Sequence, residues 1–245
     1  MTDIAIIGGT GLTELESLEI TRREVVYTPY GEASGPLTHG VLCGREAIFL
    51  ARHGYGYTIP PHMVNFQANI WGLHSVGVRK IVAVNAVGAI NSNLKPGTLA
   101  FPDQIIDYTY GRKHTFFEAD LATVMHVDFS QPYSESLRNK LTTAAGAAGI
   151  RFADSGTYGV VQGPRFETIA EIDRLERDGC DMVGMTGMPE AALARELELE
   201  YASCAVIANY AAGRGDESIH KQVEQNLAHA LGQLKELLEH FLPTL

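Results

Sequence analysis

The sequence predicts an α/β fold in a single domain that spans residues 1–245. Segments 3–7, 80–84 and 201–208 are short and almost wholly apolar, which is typical of strands covered on both faces of a sheet. Helical patterns separate these strands, and the chain ends in a long amphipathic helix. The sequence contains no repeat, low-complexity segment or linker, so we expect no second domain.

The first half of the chain alternates strands with turns and contains one predicted helix. The predicted strands are residues 3–7, 23–28, 37–43, 47–51, 80–84 and 99–106. The helix is predicted at residues 64–76, and its Trp71 is expected to pack against the sheet.

The second half of the chain is predicted to be mainly helical. The predicted helices are residues 134–149, 169–178, 189–199 and 216–242, and the strands are 156–162 and 201–208. Pro189 is expected in the first turn of its helix, where the missing N–H of proline does no harm. Residues 108–133 show no clear regular element, so we expect a long functional or interface loop there.

The composition limits the possible partners. The formal charge of −10 argues against nucleic acid and anionic membranes. The three cysteines, Cys43, Cys180 and Cys204, lack metal-type spacing, so we expect reduced thiols. Because no signal peptide or transmembrane segment is recognisable, we expect a cytoplasmic protein.

Candidate ligand-binding residues follow several predicted strands, where ligands collect in α/β sheets. The turn at residues 8–11, with the sequence G-G-T-G, leaves backbone N–H groups free to surround an anion. Arg52 and His53 follow a second strand, and arginine is a natural bidentate partner of phosphate. Asn209 follows a third strand and offers both a donor and an acceptor. A nicotinamide-binding turn is an alternative for residues 8–11, but the third glycine of G-x-G-x-x-G is absent.

Motifs at these strand ends resemble those of one enzyme family. Segment 181–190 resembles the N-M-T-x-x-P-E motif of methylthioadenosine phosphorylases, in the trimeric branch of the purine nucleoside phosphorylase family. Segment 64–71 is similar to the V-N-Y-x-A-N-I-W motif of the same enzymes. Further motifs follow in the family's order at residues 8–12, 52–53, 85–88 and 163–166, so that the resemblance covers about residues 3–240.

This resemblance implies a three-layer α/β/α fold with a central mixed β-sheet, and an enzyme that splits purine nucleosides with phosphate. Phosphate is then a co-substrate, and no metal or other cofactor is required. The resemblance also implies a homotrimer with sites near the subunit interfaces.

The resemblance assigns roles to individual residues. The implied phosphate-binding residues are Thr10, Arg52, His53, Thr186 and the backbone at Asn85 and Ala86. Met185 is expected to pack on the ribose and Phe166 to stack on the purine. His126, where the local match is loose, is expected to reach the site of a neighbouring subunit near the 5′ group. Asn209 is the expected catalytic residue and faces N7 and the six-position of the base.

The sequence departs from the adenine-specific pattern at residues 209–211, where it has N-Y-A in place of D-Y-D. Where adenine-specific members have aspartate, this chain has Asn209, which cannot protonate N7 as adenine leaves and therefore favours a 6-oxopurine. Val223 on the final helix favours an apolar 5′-methylthio group, whereas His220 could instead bind a 5′-hydroxyl. We therefore expect phosphorolysis of 5′-methylthioinosine to hypoxanthine and 5-methylthioribose 1-phosphate. The alternatives are methylthioadenosine or inosine/guanosine phosphorolysis and, in other classes, a nicotinamide-dependent oxidoreductase or a non-catalytic nucleoside-binding protein.

Overall fold

The fold was analysed in a computed structural model, which describes residues 2–12, 15, 17–118 and 125–245. The strands are β1 (Ile4–Gly8), β2 (Glu19–Glu24), β3 (Leu37–Leu42), β4 (Arg45–Ala51), β5 (Lys80–Ala89), β6 (Leu99–Ala100), β7 (Gln104–Asp107), β8 (Phe152–Ala153), β9 (Thr157–Val160), β10 (Met182–Gly184) and β11 (Glu200–Tyr210). The helices are α1 (Phe66–Ser75), α2 (Glu135–Ala147), α3 (Ile169–Arg177), α4 (Glu190–Glu196) and α5 (Ile219–Phe241).

The strands form one mixed sheet that is organised around β5. The main path of the sheet runs β2-β3-β4-β1-β5-β10-β9-β7, and β11 also pairs with β5. β5 is parallel to β1 and β11 but antiparallel to β10. The long pairing between β5 and β11 brings the ends of both strands to the same edge, where a ligand site is expected.

The core lies on both faces of this sheet. Alternate residues of β1 point to opposite faces: Ala5 and Ile7 pack with α1 and α4, whereas Ile4 and Ile6 pack with α2 and α5. The predicted α/β/α arrangement with a mixed sheet is therefore confirmed. The single domain over residues 1–245 stays a prediction.

Several predicted boundaries are wrong for identifiable reasons. The strand predicted at 23–28 lies at Glu19–Glu24, and the apolar residues Val25 and Tyr27 of the predicted segment are exposed. β5 continues past residue 84 to Ala89, because β11 pairs with it along that whole length. The strand predicted at 99–106 is two strands, since Pro102 lies between them and cannot donate a ladder hydrogen bond.

Two smaller corrections concern the second half of the chain. Pro189 precedes α4 as its N-cap and is not in the first turn. The short strand β8, which pairs with β6, was not predicted. Among the helices of the described residues, none has the length and apolarity needed to cross a membrane.

Candidate active site

A cavity of about 360 Å³ lies at the ends of strands β1, β4, β5, β10 and β11, which is a size suited to a small ligand. Its walls come from widely separated segments of the chain. The lining residues are Gly9, Thr10, His53, Tyr57, Thr58, Ile59, Pro60, Pro61, Ala86, Val87, Gly88, Pro164, Phe166, Glu167, Val183, Gly184, Met185, Thr186, Ala208, Asn209 and Val223.

Most of the predicted site residues meet in this cavity. Those on its wall are Thr10, His53, Ala86, Phe166, Met185, Thr186, Asn209 and Val223. Arg52, Asn85 and His126 are not on the wall. Among the described residues, the cavity wall contains neither lysine nor arginine, and its acidic side chain is that of Glu167.

His53 presents a neutral imidazole to the cavity. Its Nδ1 lies 2.8 Å from the carbonyl oxygen of Ile59 and donates to it, so the lone pair is on Nε2. Burial lowers the pKa of His53 to about 4, and the neighbouring positive charge of Arg52 acts in the same direction. At neutral pH this side chain therefore accepts a hydrogen bond, and a protonated phosphate oxygen can supply one.

Thr10 and Tyr57 meet at the same end of the cavity. The Thr10 hydroxyl lies 2.9 Å from the Tyr57 hydroxyl, and the Tyr57 ring centroid is 4.9 Å from that of His53. Tyr57 has a φ of 57°, in the left-handed region that bulky residues rarely occupy. Sequence analysis missed Tyr57, because no local pattern indicates that this turn folds back onto Thr10.

The Arg52 guanidinium, which was predicted to bind phosphate, does not reach the cavity wall in this structure. Its side chain is fully buried behind the wall: Nε and Nη2 each donate at 2.7 Å to the Glu190 carboxylate, and Nη1 donates at 2.9 Å to the Val84 carbonyl. A Cβ added to Gly9 would lie 3.2 Å from Nη1, so the guanidinium lies directly beneath this glycine of the wall. The fork of the guanidinium is used by Glu190, and this is why it does not face the cavity.

Asn85 also acts from behind the wall, and only Ala86 of that pair lines the cavity. The Asn85 amide donates at 2.8 Å to the Thr186 hydroxyl and accepts at 2.8 Å from the Ser203 hydroxyl. The Thr186 N–H donates at 3.4 Å to the Tyr158 hydroxyl. Thr186 is thus held by two separate contacts, and its hydroxyl keeps its own proton to donate into the cavity.

Asn209 lies at an irregularity in β11 that turns its side chain towards the cavity. The pairing with β5 shifts register between Ile207 and Asn209. Asn209 Nδ2 donates at 2.7 Å to the Tyr210 carbonyl, which fixes the orientation of the amide. Its second N–H and its Oδ1 remain for a ligand. A Cβ on Gly88 would approach Asn209 Nδ2 to 3.0 Å, so this position of β5 requires a small residue.

Glu167 is a site residue that sequence analysis missed. It lines the cavity directly after Phe166, and burial raises the pKa of its carboxyl group. The signal that could have found it is its position in the sequence G-P-R-F-E, one residue beyond the predicted aromatic contact.

Val223, His220 and His126 were the residues considered for recognition of the 5′ group. Val223 on α5 lines the cavity. The ring of His220 packs edge-on against Phe166, with 5.5 Å between centroids, and His220 is not a wall residue. His126 is exposed outside the cavity, so a contact with a nucleoside would require a second subunit.

These features define an enzyme-like site in which hydroxyl groups and a neutral imidazole can hold a protonated anion beside an apolar slot for a planar ring. The described residues contain no cluster of three or more potential metal ligands. The class that fits is a transferase that acts on an aromatic base and an oxyanion.

Comparison with known proteins identifies this class. A family model described as "Phosphorylase superfamily" matches residues 3–243, and the chain belongs to that family. It is an enzyme, a pentosyltransferase of the nucleoside phosphorylase type.

Relatives with curated names cover nearly the whole chain. A probable S-methyl-5′-thioinosine phosphorylase of Pseudomonas syringae pv. tomato is 54% identical, over 99% of both chains. The 6-oxopurine nucleoside phosphorylase of Pyrococcus furiosus is 47% identical, over 91% of this chain and 85% of its own. Among solved structures, a double mutant of the adenosine/methylthioadenosine phosphorylase of Schistosoma mansoni, in complex with adenine, is similar with a TM-score of 0.94 and 30% identity. That match covers 100% of this chain and 92% of the other.

Proposed function

We propose that the enzyme splits S-methyl-5′-thioinosine with inorganic phosphate, giving hypoxanthine and 5-methylthioribose 1-phosphate. The observation that carries this proposal is that Asn209 and Glu167 line the same cavity. The curated names of relatives at 50–54% identity support the same substrate.

The two side chains together fit a 6-oxopurine better than adenine. The free N–H of Asn209 donates to the six-position oxygen, and Asn209 Oδ1 accepts from N7–H once N7 of the departing purine has taken a proton from solvent. The Glu167 carboxylate accepts from N1–H, a donor that adenine lacks. In adenine N1 is itself an acceptor, so it would face a carboxylate without a hydrogen bond.

The chemistry that follows needs positioning more than covalent participation. Phosphate oxygen attacks C1′ of the ribose, and the electron pair of the C1′–N9 bond passes to the purine, which takes one proton from solvent to become hypoxanthine. Negative charge that develops on the purine is stabilised by the Asn209 N–H at the six-position oxygen. The hydroxyls of Thr10 and Thr186 donate to phosphate, while neutral His53 accepts from its P–OH group. Neither a metal nor another cofactor enters this scheme.

The 5′ group is assigned to the apolar part of the wall. Val223 offers a methylthio group an apolar contact and no hydrogen bond. His220, which could favour a 5′-hydroxyl, packs on Phe166. Inosine is the second candidate substrate, because relatives at 45–47% identity are named as 6-oxopurine nucleoside phosphorylases.

The assembly and location that we propose are a homotrimer in the cytoplasm. His126 is exposed beside the exposed apolar residues Met125 and Val127, a combination that suits a subunit contact. In such a trimer His126 would approach the 5′ end of a neighbouring site. Mass measurement in solution tests the trimer.

The decisive experiment measures phosphate-dependent base release from methylthioinosine, methylthioadenosine, inosine and adenosine in parallel. Preference for methylthioinosine is the expected result. Preference for methylthioadenosine would contradict the roles of Asn209 and Glu167. Preference for inosine would contradict the apolar 5′ pocket and make His220 the residue to test.

A further inference from the structure

A single arginine outside the predicted site ties together two walls of the cavity. Arg112 Nη1 donates to the carbonyl oxygens of Met185 at 2.9 Å and Met188 at 2.5 Å. Its Nη2 donates to the carbonyl oxygen of Gln162 at 2.8 Å, and its Nε donates to Gln162 Oε1 at 3.1 Å. One guanidinium therefore joins the segment that carries Met185 to the segment that leads into Phe166 and Glu167.

The partners of Arg112 are unusual for a partly buried cation. Within the part of the chain that the structure describes, no carboxylate lies within 4.0 Å of its nitrogens. Its partners are carbonyl oxygens and the Phe66 ring, whose centroid is 5.4 Å from Cζ. Burial lowers the pKa of Arg112, the direction expected for a charge taken out of water. Burying such a charge is unfavourable for folding, so stability alone does not account for this residue.

The two joined segments also touch each other at the cavity. A Cβ added to Gly163 would lie 2.5 Å from Met185 Sδ, so the distance between the two walls is set closely. Thr186 follows Met185 directly but is fixed by the independent contacts to Asn85 and Tyr158. A change at Arg112 should therefore move Met185 and the segment at 162–167 while leaving Thr186 in place.

We propose that Arg112 is a positioning residue for the nucleoside: without touching the substrate, it sets the separation between the Met185 wall and the Phe166–Glu167 wall. This inference rests on the proposed function of the same site. It predicts that Arg112 controls the affinity for the nucleoside and its orientation but not the affinity for phosphate.

The test compares Arg112→Lys with Arg138→Lys, measuring thermal stability and KM for both substrates. Lysine keeps the charge but loses the planar fork that reaches several carbonyl groups. Arg138 is the control, because it donates to the main-chain carbonyls of Pro102 and Phe101 outside the cavity; unlike Arg112 it is buried and pairs with the Glu135 carboxylate. For Arg112→Lys we expect kcat/KM for methylthioinosine to fall about 10- to 100-fold, mainly through a higher nucleoside KM, with phosphate KM within about twofold.

The outcomes separate this inference from the proposed function. For Arg138→Lys we expect a loss of thermal stability with unchanged KM values. The same result for Arg112→Lys would overturn the positioning role, and so would equal rises of its KM values for nucleoside and phosphate. If Arg112→Lys does not fold, Gln162→Leu removes the partner of Nε and should raise the nucleoside KM alone, by about threefold or more. An unchanged nucleoside KM in that variant would also overturn it. A wild-type enzyme that neither releases base nor binds hypoxanthine by calorimetry would overturn the proposed function, and this inference with it.

Discussion

Replacement of Glu167 by glutamine should shift base preference from hypoxanthine towards adenine nucleosides. In the proposed complex the carboxylate of this cavity residue accepts a hydrogen bond from N1–H. A hydrogen bond to a charged group contributes about 1.5–3 kcal/mol and a neutral one about 0.5–1.5 kcal/mol. Loss of the charge should therefore weaken the transition-state complex by about 1–2 kcal/mol, which lowers kcat/KM for methylthioinosine about 5- to 30-fold. The new amide N–H can donate to N1 of adenine, so kcat/KM for methylthioadenosine should rise.

The pH profile of kcat/KM provides a second measurement on the same variant. Because burial raises the pKa of Glu167, its carboxylate becomes protonated at a higher pH than an exposed glutamate does. Activity on methylthioinosine should fall as pH falls through that raised pKa, and Glu167→Gln should lack this acidic limb. Glu176→Gln, on the exposed side of α3, is the control that should match the wild type. An unchanged substrate ratio together with an unchanged acidic limb would refute the assignment of Glu167 to N1–H.

Three other perturbations test separate parts of the site. Asn209→Asp should raise turnover of methylthioadenosine relative to methylthioinosine, because a protonated carboxyl group can donate to N7; an unchanged ratio would mean that Asn209 does not set base choice. In phosphate-free enzyme, an NMR titration should find His53 neutral above about pH 4, and a midpoint near the ordinary value of about 6.5 would contradict its buried, Arg52-facing environment. Glu190→Gln leaves Arg52 buried without its counter-charge, so urea unfolding should detect a loss of about 3–5 kcal/mol. As a comparison, Glu217→Gln breaks an exposed ion pair with Lys221, and urea unfolding should detect a loss of less than about 1 kcal/mol.

The sequence predicted the fold well wherever local pattern and burial agree. β1 and residues 47–51 of β4 are apolar, buried and at or near their predicted positions. β2 was misplaced because its residues are exposed, so its position is set by pairing with β3 and not by an apolar pattern. The break at Pro102 and the extension of β5 likewise depend on neighbouring strands, which local composition does not reveal.

The difference between local sequence pattern and contacts with distant residues also explains which site residues were placed correctly. Wall residues such as Thr10 and Met185 lie in short motifs at strand ends, so the motif is enough to place them at the cavity. The residues behind the wall act through partners that are distant in sequence: Arg52 and Glu190 are 138 residues apart, and Arg112 reaches Met185 over 73 residues. Chemistry alone made Arg52 a reasonable phosphate ligand, and only the contact with Glu190 reveals that its charge is already paired.

Residues on the cavity wall and residues behind it should also respond differently to substitution. Wall residues meet the ligand directly, so changing Asn209 or Glu167 should alter which base is accepted with a small effect on folding. A residue behind the wall is buried and satisfied by other protein groups, so changing Glu190 leaves a charge unpaired and should lower stability first. Arg112 is partly buried and lies behind the wall, yet the groups it joins are two sides of the nucleoside pocket. If the positioning role is correct, Arg112 is the residue at which a change behind the wall acts on substrate affinity instead of on stability alone.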